Sequence, residues 1–115
     1  MAVGGYDSVS FFAGKPVEGK EEFTLEYNGA DWRFSTQANL DLFRTNPTAF
    51  APQYGGYCAY AVANGKLAKG SPEHWAVKDG KLYLNFNGRI QTIWERDQDN
   101  FVSDANAKWP DILED

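Results

Sequence analysis

The sequence has one cysteine, one histidine and one methionine in 115 residues, and each scarcity closes off a class of protein. A single cysteine excludes an internal disulfide framework and any zinc site built from several thiolates. A free thiol, or a bridge to another chain, stays open. No stretch comes near the roughly 18 consecutive apolar residues of a membrane-spanning helix. The longest apolar run, Tyr57 to Ala63, has the length of a core segment. Basic clusters are missing too, with Lys+Arg 11 against Asp+Glu 16 and a formal net charge of -5. Neither nucleic acid nor membrane insertion is therefore expected, since polyanions and anionic bilayers are held by a basic face that displaces counterions. Gly4-Gly5 and Gly55-Gly56 lack the spacing of a phosphate loop. Met1-Ala2-Val3 runs into Gly4-Gly5 with no charged start and no apolar stretch, so no signal peptide is expected in this chain.

What the sequence does have is aromatic bulk: Trp 4, Tyr 6 and Phe 8 within a 43% hydrophobic composition, enough to bury a core. The length fits one domain, residues 1–115, around one core. Glu22 to Ser35 alternates apolar and polar residues around Asn28-Gly29, a hairpin signal, because Asn-Gly tolerates the positive φ angles of a type I′ turn. Ser35 or Thr36 can cap a helix carrying Leu40 and Phe43, which should stop near Asn46 because Pro47 forces its neighbour out of the α region. Pro47 then suits the start of a second short helix with Phe50. Gly55-Gly56 precedes an apolar run read as a tight turn and a buried short helix, with a strand as the alternative. Ser71-Pro72-Glu73 reads as a cap and one helical turn around His74. A second hairpin pivots on Asp79-Gly80, with Trp75, Val77, Leu82, Leu84 and Phe86 alternating. Helical spacing follows, first Ile90, Ile93 and Trp94, then Phe101, Val102 and Ala105, up to Trp109-Pro110. No internal repeat or linker is evident. The sum is a small α+β domain, an antiparallel sheet built from hairpins and covered by short helices.

Cys58 is the first candidate for chemistry. At the start of a helix after Gly55-Gly56 its sulfur would meet free amides and a helix dipole that favour the thiolate, the form that attacks disulfides, reduces peroxides or binds metal. The plain alternative is a small buried hydrophobe, as lone cysteines often are. Without a Cys-x-x-Cys pair, any disulfide turnover needs a second thiol from elsewhere. Histidine is the side chain whose ordinary pKa lies near neutrality, so His74 could serve Cys58 as base or co-ligand, or could stand exposed on a turn without a role. Cys58, His74, Asp7 and the tyrosine hydroxyls are the available metal donors, too few for structural zinc but compatible with copper or another soft metal. Tyr54, Tyr57 and Tyr60 could line a pocket or fill the core. Glu21-Glu22, Glu95 with Asp97 and Asp99, and Glu114-Asp115 read as solvated surface.

Phe34-Ser35-Thr36-Gln37-Ala38-Asn39, continuing through Phe43 to Pro47 and Phe50, resembles the short YHS domain, whose pattern runs Phe-Cys-Ser-x-x-Cys, then Phe, Pro and Tyr. The two family cysteines, thought to bind metal in many members, fall on Ser35 and Asn39, so a site made of those thiolates is absent here. A wider resemblance to standalone bacterial YHS proteins runs from Gly5-Tyr6-Asp7 through Pro52 to Val62 and on to Asp79-Gly80-Lys81-Leu82-Tyr83-Leu84-Asn85. Some members of that group carry selenocysteine at the place matched by Cys58, which implies that the chalcogen there does chemistry or binds a soft metal. Many carry export signals, which implies a periplasmic or secreted protein with its signal already removed. The usual Asp-Pro-Val after Gly-Tyr is Asp7-Ser8-Val9 here, and His74 has no counterpart in the pattern. The resulting expectation is a thiol-based redox or soft-metal protein of the cell envelope acting through Cys58, with Cys58 and His74 as metal ligands. Its alternative is a non-catalytic small-molecule or protein binding module with Cys58 in the core; whether the chain is an enzyme stays open.

Overall fold

The structure of the protein, a computed structural model, describes residues 1–114. Strands β1 (Lys20–Tyr27) and β2 (Ala30–Phe34) pair antiparallel around Asn28-Gly29, whose φ angles of 51° and 77° are those of the expected turn. Leu25 faces Trp32 and Tyr27 faces Ala30, which gathers the apolar residues on one side of the ribbon. Strands β3 (Ser71–Lys78) and β4 (Lys81–Asn85) turn at Asp79-Gly80 and form a second two-stranded sheet, separate from the first. Helix α1 (Gln37–Thr45) begins at Thr36, whose hydroxyl accepts the Asn39 N–H at 3.1 Å. It ends before Pro47, where α2 (Pro47–Phe50) starts. Helices α3 (Ala59–Ala63), α4 (Gly88–Glu95) and α5 (Gln98–Lys108) follow the expected spacing.

Two expectations are corrected. Ser71-Pro72-Glu73 opens β3 rather than a helical turn, so His74 is a strand residue. A two-stranded ribbon has only edge strands, and at a strand start a proline forfeits no ladder bond. Along β4 Leu82 and Leu84 are buried as expected, but Tyr83 and Asn85 are buried as well, and Phe86, just beyond the strand, is 54% exposed rather than inward. The ribbon is covered on both sides at this point, so alternation stops reporting which face is inside.

Contacts divide the chain into two compact units, Met1–Pro52 with Val77–Leu82, and Gln53–Ala76 with the chain from Tyr83 onward. Each has its own core. Val9, Trp32, Phe34, Leu40 and Phe43 form the first, where the Phe34 and Phe43 ring centroids lie 5.1 Å apart. Tyr54, Ala59, Val62, Tyr83, Trp94 and Ala105 belong to the second.

Although the sequence shows no evident repeat, the two halves of the chain follow one backbone plan at a constant offset of 51 positions, the separation of Gly4 from Gly55. Val3-Gly4-Gly5 and Tyr54-Gly55-Gly56 make the same left-handed turn, with Val3 at φ 53° and Tyr54 at φ 58°. Bridges Tyr6 to Glu18 and Tyr57 to Lys69 correspond, as do the bonds from Gly19 N–H to the Gly5 carbonyl (2.9 Å) and from Gly70 N–H to the Gly56 carbonyl (3.1 Å). The Thr36 cap is matched by Asn87, whose Oδ1 accepts the Ile90 N–H at 2.9 Å. Gly19 and Gly70 are obligatory for one reason. A Cβ on either would lie 2.5 Å from backbone, that of Arg33 in the first unit and the Gly56 carbonyl in the second. The offset pairs Phe34 with Asn85, Phe43 with Trp94, and Asp7 with Cys58.

Candidate functional site

In the first unit the chain folds back over the end of the β1–β2 ribbon, and Asp7 is fully buried there. Its Oδ1 accepts the Val9 and Ser10 N–H groups at 2.9 and 3.3 Å, holding the turn that follows it. Oδ2 accepts the Ser35 N–H at 2.8 Å, the Ser35 hydroxyl at 2.7 Å and the Asn39 amide at 2.8 Å. Ser35 and Asn39 are the positions matched to the family's cysteines, so the structure brings both onto one carboxylate. A carboxylate offers about four lone-pair directions, and five donors occupy them. This centre is closed by its own hydrogen bonds.

In the second unit Cys58 takes the place of Asp7 and is 1% exposed. It precedes α3 and makes no side-chain cap bond to that five-residue helix, so the expected support from helix amides is absent. The sulfur is held from β4 instead. The Phe86 N–H, at the position equivalent to Ser35, donates to Sγ at 3.2 Å, and the thiol donates to Asn85 Oδ1 at 3.6 Å. Asn85 Oδ1 also accepts the Tyr60 N–H at 3.1 Å, which fixes the orientation of the carboxamide, since the opposite one would set two donors face to face. Asn85 is fully buried and its Nδ2 has no partner; buried Trp94 Nε1 has none either. The second centre therefore sets a sulfur against a carboxamide with one unused donor, whereas the Asp7 carboxylate is saturated, with the buried hydroxyl of neighbouring Ser8 left without a partner.

His74 lies half-buried on β3 with its ring against Gly88 at the start of α4, where a Cβ would stand 3.5 Å from Cε1. It shares no hydrogen bond with Cys58, and among the described residues no three His, Cys, Asp or Glu side chains gather to hold an ion. Tyr57 and Tyr60 pack against the second core, on Trp109 at 5.9 Å and Phe101 at 5.2 Å between ring centroids, and only the Tyr60 backbone reaches the site. Tyr54 is buried in that core and donates its hydroxyl to Asn106 Oδ1 at 2.8 Å. Burial, and secondarily the charge of a neighbouring Tyr83 phenolate, push its ionisation well above the ordinary tyrosine value. Sequence reasoning missed Asn85 and the Phe86 N–H. The available signal was Gly-Gly-Tyr followed by Asp7 in one place and by Cys58 in the other, at one spacing.

The model of the YHS domain family matches residues 9–54, a segment that contains Ser35, Asn39 and most of the first unit. No curated protein and no solved structure matches the chain. Over residues 9–54, which hold the convergence of Ser35 and Asn39, the chain is thus similar to the YHS domain.

Proposed function

We propose that the protein handles soft metal ions in the cell envelope, with Cys58 Sγ as the atom that takes the ion. The observation that carries this reading is the exchange at one position of the shared plan. Where the first unit has a saturated carboxylate, the second has a sulfur next to a carboxamide with an unused donor. The YHS family's association with metal handling supports it. Copper(I), as cargo, accepts few soft ligands, so one protein thiolate and one thiol from the delivering molecule suffice, with His74 as a further nitrogen donor in the same unit. Cell-envelope residence belongs to this proposal and rests on the sequence resemblance to standalone bacterial YHS proteins.

The test is native mass spectrometry after addition of copper(I). One ion per chain is expected on the wild-type protein and none on Cys58→Ser, a variant that keeps an acceptor for the Phe86 N–H and so keeps the fold. Uptake that survives Cys58→Ser refutes the reading. The 1% exposure of Cys58 favours a second one, a binding module with an inert core thiol. A thiol that alkylates only in denaturant would decide for the module.

A further inference from the structure

We propose that Cys58 is a site of reversible oxidation by peroxides, whose sulfenate oxygen is received by the Asn85 Nδ2–H. The inference rests on the reading that Cys58 Sγ reacts. Its independent support is the orphaned amide. Asn85 is fully buried, its carboxamide meets Sγ through Oδ1, and the Tyr60 N–H keeps it from turning round, so Nδ2 is an unused donor on the side chain that contacts the sulfur. A buried donor without an acceptor is costly, so such a group points to an acceptor that is present in some state of the protein. A free water there would need two to four polar partners. An oxygen bonded to Sγ is already anchored and needs one.

The step balances. The thiolate attacks one oxygen of hydrogen peroxide or an alkyl hydroperoxide, the S–O bond forms and the O–O bond breaks. The leaving oxygen departs as water or an alcohol with the thiol's proton. Sulfur loses two electrons and the peroxide gains them. Because the chain has one cysteine, no internal thiol can condense with the product. A low-molecular-weight thiol displaces the oxygen as water to give a mixed disulfide, and a second such thiol restores Cys58. In the first unit the place of Asn85 is taken by Phe34, which carries no side-chain donor, although the buried Ser8 hydroxyl beside Asp7 is likewise without a partner.

The experiment treats the whole native protein with hydrogen peroxide in the presence of dimedone and reads the products by mass spectrometry. One dimedone adduct per chain is expected at Cys58, with sulfinate a minor product, and no adduct in Cys58→Ser. Asn85→Asp keeps the Oδ1 acceptor for Tyr60 and removes the N–H donor, so the ratio of sulfenate to sulfinate should fall at least several-fold. A purely structural Asn85 would alter the melting temperature and leave that ratio alone. If Asn85→Asp fails to fold, the wild-type product ratio decides. Passage straight to sulfinate, or an unchanged ratio in a folded Asn85→Asp, overturns the proposal. A native thiol that takes up copper(I) yet gives no adduct overturns the sulfenate and leaves the metal reading standing; a thiol inert to both removes the two together.

Discussion

Replacing Asp7 by alanine strands five donors at once: the N–H groups of Val9, Ser10 and Ser35, the Ser35 hydroxyl and the Asn39 amide. A buried polar group left without its partner costs about 1–3 kcal/mol. The costs do not add, because Ser35 and Asn39 are only half-buried and can turn to water, and removing the carboxylate also removes the desolvation penalty of its charge. The net loss should be about 3–5 kcal/mol, a large part of the roughly 5–15 kcal/mol that holds a protein of this kind together. Asp7→Asn is nearly isosteric but sets an NH2 group against two or three of the donors, so about 2–4 kcal/mol is expected from it. Guanidinium unfolding followed by tryptophan fluorescence measures both. The matched control is Cys58→Ala, which strands little beyond the Phe86 N–H and should cost about 1–2 kcal/mol. An Asp7→Ala loss under about 1 kcal/mol, or one smaller than that of Cys58→Ala, would refute the claim that the first centre is a saturated structural hub.

The shared backbone plan predicts matched responses at matched glycines. Gly19→Ala and Gly70→Ala each drive a Cβ to 2.5 Å from backbone atoms and should each cost about 2–3 kcal/mol or more, whereas Gly29→Ala meets nothing within 4 Å and should cost about 1 kcal/mol through its φ of 77° alone. Thermal melts of the three variants check the ordering, and a tolerated Gly70→Ala would sink it. Tyr54 predicts alkaline lability. Its ionisation is raised in the folded state, so its contribution is fully present below the ordinary tyrosine value near pH 10 and is lost as pH rises beyond that. Stability should fall by up to about 1.4 kcal/mol per pH unit there, and Tyr54→Phe should flatten the fall while losing about 1 kcal/mol near neutral pH with its bond to Asn106. An unchanged alkaline slope in Tyr54→Phe would assign the lability elsewhere.

Much of the fold was legible because its signals are local. Asn28-Gly29 and Asp79-Gly80 each carry their own turn chemistry, Thr36 and Pro47 bracket α1 within a dozen residues, and the apolar spacing of Ile90, Ile93 and Trp94 marks α4. Ser71-Pro72 misled for the same reason: read locally it opens a helix, and only pairing with β4 makes it a strand. The candidate site depended on separations that no local pattern encodes. Asp7 meets Ser35 and Asn39 across 28 and 32 positions, and Cys58 meets Asn85 across 27.

From sequence alone came the one thiol, the absence of a basic face, the two hairpins and the capped helices, because composition, turn residues and periodicity act within a few residues of themselves. Gly-Gly-Tyr before Asp7 and before Cys58 hinted at a shared position, and the tertiary structure decided that the two hold it in a twice-used plan. It also decided that the Asp7 carboxylate is filled while Asn85 keeps an unused amide donor, because Ser35 and Asn39 reach Asp7 only through the fold and Asn85 stands where the first unit has Phe34.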